Sequence, residues 1–129
     1  MAGGDPFSAA QRHEIDKAIR DAETLSRIEF SVYVGRAEGE PRSFAERLHA
    51  ALVAPDRSVL VLVDPSSQLL EIVTGAQAAR LLDDAEVRLA ALAMQSAFAA
   101  GDLVGGITRG VHQLSEHAAA RRPQLRHAE

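Results

Sequence analysis

The chain has 129 residues, of which 47% are hydrophobic and 25% charged, as in one globular domain. A formal net charge of −4 with interspersed acids argues against a nucleic-acid partner, and the lack of cysteine excludes disulfides, thiolate nucleophiles and cysteine-ligated zinc. No stretch approaches the roughly 18 apolar residues of a membrane span, and the first residues lack the features of a signal peptide. We therefore expect a cytoplasmic protein, or an exported or anchored one if the sequence belongs to a longer chain.

Three helix starts are predicted by capping boxes. In this motif a Ser, Thr or Asp side chain, together with an acid or amide three residues later, satisfies the first free N–H groups of a helix. Each box precedes apolar residues at helical spacing, which is typical of an amphipathic helix. The boxes are Ser8 with Gln11, Ser43 with Glu46, and Asp83 with Glu86.

Three strands are predicted, and their patterns differ. Residues 28–34 alternate apolar and polar side chains, which is typical of a strand with one covered face. Residues 59–63, Val-Leu-Val-Leu-Val, do not alternate, as expected when helices cover both faces. We therefore place 59–63 at the centre of the sheet, parallel to the first strand through a right-handed crossover. A turn at 64–67 leads to an antiparallel strand at 69–74.

The remainder of the chain is predicted to be helical. A short helix at 76–82 precedes a longer one that starts at Asp83 or Asp84 and ends with Gly101 as its C-cap. Asp102 then caps a last helix, in which Gly106 and Gly110 leave a smooth surface for close packing on a neighbouring element.

The element order α-β-α-β-β-α-α-α predicts an α/β fold. Helices on both faces of a small mixed sheet would give a three-layer α/β/α sandwich. The sheet has three strands, or four if another lies within 35–42. We expect a flexible N-terminus at 1–7, one domain at 8–118 and a flexible tail at 119–129.

Acidic side chains at the ends of elements are the first candidate site residues. Asp84, beside Asp83 and Glu86, starts a helix, where a carboxylate either stabilises free N–H groups or helps to bind a hard cation, whereas the spacing of Asp102 alone indicates an N-cap. Asp64 ends the central strand, where α/β sheets tend to place ligands, although Asp-Pro-Ser-Ser is also an ordinary turn.

Glu71 is a further candidate because it lies within a strand. On a covered face it needs a cationic partner, for which Arg36 and Arg80 are candidates, whereas on an edge strand it can face water. Among the histidines, His112 can share a helix face with Glu116, but His117 falls on a different face, so no set of three metal ligands emerges. We therefore expect these histidines to be solvated.

Several segments, in their order and spacing, resemble the TPM domain family. The resemblance covers about residues 10–115 and is greatest to an actinobacterial branch of unknown function. It implies a TPM-like fold and, because phosphatase activity and divalent-cation binding are reported for some members, a cation site that includes Asp84 and Asp102. The resembling segments are Ile15 to Glu23, Glu29, Ser58 to Asp64, Val73 to Gly75, Leu82 to Ala85, Phe98, Gly101-Asp102, Gly106-Ile107, Gly110-Val111 and Leu114.

Two functions remain open, so the sequence does not decide whether the chain is an enzyme. The preferred one is a TPM-like accessory or binding module that contacts an unidentified protein, because no complete catalytic set is visible and the last helix offers a glycine-lined surface. The alternative is a phosphatase-like enzyme in which calcium or magnesium activates water. Its ligands would be Asp84 and Asp102 with Asp64 or Glu71. The chain is expected to be a monomer, or a homodimer formed through the last helix.

Overall fold

The computed structural model describes residues 6–128, with the backbone alone for 123–128. Within this range it contains five helices, a three-stranded sheet and two short 3-10 turns. The helices are α1 (Ala9–Ser26), α2 (Pro41–Ala50), α3 (Ala76–Leu81), α4 (Asp84–Ala99) and α5 (Leu103–Ala128). The strands are β1 (Glu29–Val34), β2 (Ser58–Asp64) and β3 (Leu69–Thr74), and the turns are Pro55–Arg57 and Pro65–Ser67.

Strand β2 is the centre of the sheet, as the apolar run at 59–63 predicts. The strand order is β1-β2-β3, with β1 parallel and β3 antiparallel to β2. Every residue of β2 is buried. The described part of 35–42 contains no fourth strand, because the chain bends there and enters α2 at Pro41.

Hydrophobic side chains cover both faces of β2 because successive residues of a strand point to opposite sides. The larger cluster lies under α1, α3, α4 and α5, and the smaller one lies under α2. Fully buried members of the larger cluster are Val59, Val61, Ala78, Ala90, Ile107, Val111, Leu114 and Ala118, and the buried members of the smaller one are Ala45, Leu60, Leu62 and Val73. A mixed α/β fold with helices on both sheet faces is thereby confirmed.

Two of the three predicted capping boxes are confirmed and one is wrong. Ser8 and Asp83 cap α1 and α4 with both reciprocal hydrogen bonds. Helix α2, however, starts at Pro41 rather than at Ser43, and the Glu40 carboxylate accepts hydrogen bonds from the N–H groups of the first turn. Proline at the first helical position is already in helical geometry and lacks the N–H that would need a partner, so the cap lies at Glu40 and the helix begins three residues earlier than predicted.

Helix α5 is longer than the sequence pattern indicates. It continues to Ala128 and thus includes nearly all of the tail predicted at 119–129, while residues 1–5 and 129 lie outside the described part of the chain. Ala118 is fully buried and Arg121 pairs with acids at the start of α4, so both residues tie this part of α5 to the domain. None of the described helices is both long and apolar enough to cross a bilayer.

Candidate functional site

Asp64 is the buried member of the four acidic candidates, with 4% of its surface exposed. Its Oδ1 accepts hydrogen bonds from the Ser66 hydroxyl (2.6 Å) and the Ser66 N–H (3.1 Å), and its Oδ2 accepts one from the Ala37 N–H (3.0 Å). These bonds lower the pKa of the carboxyl group to about 2, and the bond from the Ser66 hydroxyl has the largest effect. Burial acts in the opposite direction and raises the pKa. The ionised side chain thus joins the loop after β1 to the turn after β2.

Asp84 is the first residue of α4, and Asp102 lies beyond the opposite end of the same helix. Helix α4 separates them by its whole length, about 22 Å at 1.5 Å per residue. Asp102 caps α5 through the Gly105 N–H (2.9 Å) and pairs with Arg109 (3.2 Å). Both bonds lower the pKa of the Asp102 carboxyl group, and the bond from Gly105 has the larger effect. Asp84 is exposed in the first turn of α4. One ion therefore cannot bind both carboxylates.

Glu71 does have an arginine partner, but it is neither Arg36 nor Arg80. On β3 its side chain points to the face covered by α2, whose first turn brings Arg42 to 3.3 Å. Arg42 also donates to the Ile72 carbonyl at 2.8 Å. Arg36 and Arg80 are exposed, the former in the loop after β1 and the latter in the last turn of α3, which packs on the other face of the sheet.

These four acids therefore do not all come together at one point. Asp64 and Glu71 are engaged by the loop N–H groups and by Arg42, and the other two are separated by α4. Among the residues with described side chains, no group of three or more His, Asp or Glu is placed to hold a metal ion.

The structure contains an ionic cluster between α4 and α5 that the sequence analysis did not predict. Glu86 lies 3.1 Å from His117 and 3.1 Å from Arg121, and its other role is to accept from the Asp83 N–H in the capping box. Arg121 also reaches Asp83 at 3.4 Å. His117 is therefore paired rather than simply solvated. His112 lies 3.3 Å from Glu116, with which it shares a helix face, and both side chains are largely exposed. The cluster fixes the start of α4 on the second half of α5.

The glycine surface of α5 is already covered within the chain. A Cβ atom on Gly106 would overlap the Phe98 ring, and one on Gly110 would overlap the Met94 side chain. Both contacts come from α4, which confirms that these glycines allow close packing on a neighbouring element. The same contacts exclude this surface as the predicted docking or dimer interface, because α4 occupies it.

The outer face of α4 is, in contrast, apolar and open. Leu89 and Leu92 are 55% and 58% exposed, and they are two of the four exposed large hydrophobic side chains in the described part of the chain. The sequence from 89 to 101 contains no charged residue. We refer to the exposed residues Ala85, Leu89, Leu92 and Ser96 as the α4 stripe.

A groove of about 380 Å³ lies beside the C-terminal end of the α4 stripe, between α4, the start of α5 and the β2–β3 turn. Gln95 and Ala99 line it from α4, and they lie three and seven residues after Leu92, on the same side of the helix. The remaining lining residues are Val63, Asp64, Pro65, Gln68, Leu69, Leu70, Phe98, Gly101 and Leu103. The open leucines thus lead into a largely apolar depression.

Comparisons with known proteins identify relatives without a described activity. A family model described as "Domain of unknown function (DUF5130)" matches residues 2–115. The uncharacterized proteins MT2543 and Rv2468c, from two strains of Mycobacterium tuberculosis, are each 27% identical over 110 residues, which is 85% of this chain. The chain spans only 66% of the length of these curated relatives.

Two solved structures have a similar fold. The NMR structure of the BA42 protein from Bizionia argentinensis has a TM-score of 0.83 at 20% identity, covering 92% of this chain and 85% of that one. The N-terminal domain of the cg2496 protein from Corynebacterium glutamicum has a TM-score of 0.69 at 19% identity, covering 93% and 84%. At these identities the similarity shows the fold alone.

The resemblance to the TPM family is corrected by these findings. The matching family model is that of DUF5130, and the curated relatives are uncharacterized mycobacterial proteins, so nothing in them indicates a TPM domain. The short segments behind the resemblance, such as a strand followed by Gly or a Gly-Asp before a helix, recur wherever α/β elements begin and end. The fold and a family of unknown function are supported, whereas phosphatase activity is not.

Proposed function

Since the chain belongs to the DUF5130 family, a domain of unknown function, we propose a role from its own surface: it is an accessory or binding module that acts through protein contacts. The observation that supports this proposal is the α4 stripe, where two leucines remain open to solvent in a long uncharged segment. Exposed apolar patches on soluble domains commonly mark interaction sites.

The chemistry of the stripe describes the partner surface. Interface centres are depleted of charge and contain apolar anchors, and the stripe has both properties. The groove beside it extends the apolar surface towards the β2–β3 turn and adds the Gln95 amide as a hydrogen-bonding group. A helix or extended segment with uncharged apolar side chains fits this surface, whereas a strongly charged ligand does not.

A leucine-to-serine comparison tests the proposal. A photo-crosslinking amino acid at Gln95 would capture the partner in the native host, and the purified partner would then be titrated calorimetrically. The double variant Leu89→Ser with Leu92→Ser is expected to weaken binding by at least about 10-fold, since two anchors lose apolar area.

Leu25→Ser is the matched control. Leu25 is 45% exposed on α1, away from the stripe, and its replacement is expected to leave binding unchanged. Equal affinities for the wild type, the control and the double variant would show that the stripe is not the binding surface.

A further inference from the structure

We infer that the partner of the α4 stripe is a second copy of this chain, which packs its own α4 antiparallel on the first. The inference rests on the proposed function because it concerns the same surface. It replaces the dimer through the last helix that the sequence predicts, since α4 covers the relevant glycines.

The stripe is self-complementary in its spacing. Its residues follow one another at intervals of four, three and four, which is the alternation of a coiled-coil seam. Both the intervals and the order of sizes, small-Leu-Leu-small, read the same in either direction. A twofold axis midway between Leu89 and Leu92 therefore places each Leu89 against the Leu92 of the second copy and each Ala85 against its Ser96. Isologous contacts of this kind are the commonest form of homo-oligomer interface.

The charges beside the stripe favour the antiparallel direction. Arg88 is exposed, and within the described part of the chain no ion pair involves it. The last turn of α4 has no basic residue to complement the partial negative charge at the C-terminal end of the helix dipole. In the antiparallel pair, Arg88 lies about one helical turn, roughly 5.4 Å, from that last turn of the second copy, within reach of its side chain.

A parallel pair has the opposite electrostatics. It would place the two acidic helix starts, each with Asp83 and Asp84, side by side. Like charges placed side by side across an interface disfavour that arrangement. The charges beside the stripe therefore favour an antiparallel over a parallel arrangement of the two α4 helices.

The size of the stripe predicts a reversible dimer. Four leucines, two from each copy, form the centre, and small residues flank them, so the interface is smaller than those of obligate dimers. Sedimentation equilibrium of the full chain over a range of concentrations should show a monomer–dimer equilibrium. The Leu89→Ser, Leu92→Ser double variant is expected to raise the dimer dissociation constant by at least about 100-fold, because all four central leucines are replaced.

The Leu25→Ser control should dimerise like the wild type. Thermal melts of both variants would establish that they remain folded, which is expected because the replaced side chains are largely exposed. A wild-type chain that stays monomeric at millimolar concentration, or a folded double variant that dimerises as well as the wild type, would overturn the inference.

Disulfide trapping tests the direction of the pair, because the natural chain has no cysteine. A mixture of Ala85→Cys and Ser96→Cys chains should form the mixed disulfide in preference to either symmetric one. Preferential Ala85→Cys homodimers would instead indicate a parallel pair and refute the antiparallel arrangement.

The two proposals fail in distinguishable ways. A monomeric wild type that still needs Leu89 and Leu92 to bind another purified protein would refute the second-copy inference and support the binding module. A monomeric wild type whose binding does not depend on these leucines would refute both.

Discussion

Replacing Asp64 by asparagine tests whether the buried carboxylate holds two loops together. The substitution preserves the size of the side chain but removes its charge and replaces one acceptor oxygen by a donor group. The N–H groups of Ala37 and Ser66 and the Ser66 hydroxyl currently donate to this carboxylate. At least one of the two loops therefore loses its acceptor.

The expected magnitude follows from the pKa of the Asp64 carboxyl group. Its value falls from 3.8 to about 2 on folding. The difference of roughly 1.8 units corresponds to at most about 2.4 kcal/mol at 1.36 kcal/mol per unit. Because the folded-state pKa is the lower one, this stability is fully present well above pH 3.8 and is lost as the pH falls through about 2. Screening by nearby solvent leaves about 1–2 kcal/mol as the expectation at pH 7.

Urea unfolding followed by circular dichroism measures this difference. At pH 7 Asp64→Asn should be less stable than the wild type by about 1–2 kcal/mol, and at pH 3 by about half as much, since part of the carboxylate contribution is then lost. Asp21→Asn is the control, because Asp21 is an exposed acid whose pair with Lys17 contributes little. A stability gap below about 0.5 kcal/mol at pH 7, or one that does not change with pH, would refute the reasoning.

Two further pairs of substitutions test the packing around the sheet and the ionic cluster. In urea unfolding, Gly75→Ala should destabilise the fold by about 3 kcal/mol because the new Cβ would overlap the Pro55 carbonyl. Gly39→Ala is the control, since Gly39 has a φ of +77° but open space around it, and should cost only about 1 kcal/mol. Equal costs would contradict the steric explanation. Glu86→Ala should lower stability by about 1–2 kcal/mol in thermal melts, and Glu86→Gln by less because it keeps the capping hydrogen bond. Equal losses would show that the capping hydrogen bond contributes nothing, and a Glu86→Gln variant as stable as the wild type would show the same for the charge.

Much of the secondary structure could be predicted because its determinants are close together in the chain. The caps at Ser8, Asp83 and Asp102 each involve residues three positions apart, so the spacing alone identifies them. The central position of β2 follows from its unbroken apolar run, since both faces must be covered. The start of α2 was missed because Glu40 with Pro41 outcompetes Ser43 as the local cap.

The candidate site was only partly predictable. Asp64 was correctly placed at the end of the central strand, and its turn role is visible in Asp-Pro-Ser-Ser, but its bond to Ala37 crosses from another loop. The exposed leucines could have been recognised from the uncharged run at 89–101 and the seam spacing within it. The sequence could not show which side of α4 stays open to solvent, because an apolar helix of this kind has candidate core residues on several sides.

The sequence by itself determined the elements, their order and the burial of β2, because these depend on local hydrogen bonds and on the period of apolar residues. Only the tertiary structure decided which distant side chains meet. It separated Asp84 from Asp102 by the length of a rigid helix, paired Glu71 with Arg42, and brought His117 and Arg121 to Glu86. It also covered the α5 glycines with α4 and so left the opposite face of α4 exposed. Such contacts depend on how helices pack across the sheet, which no spacing of a few residues specifies.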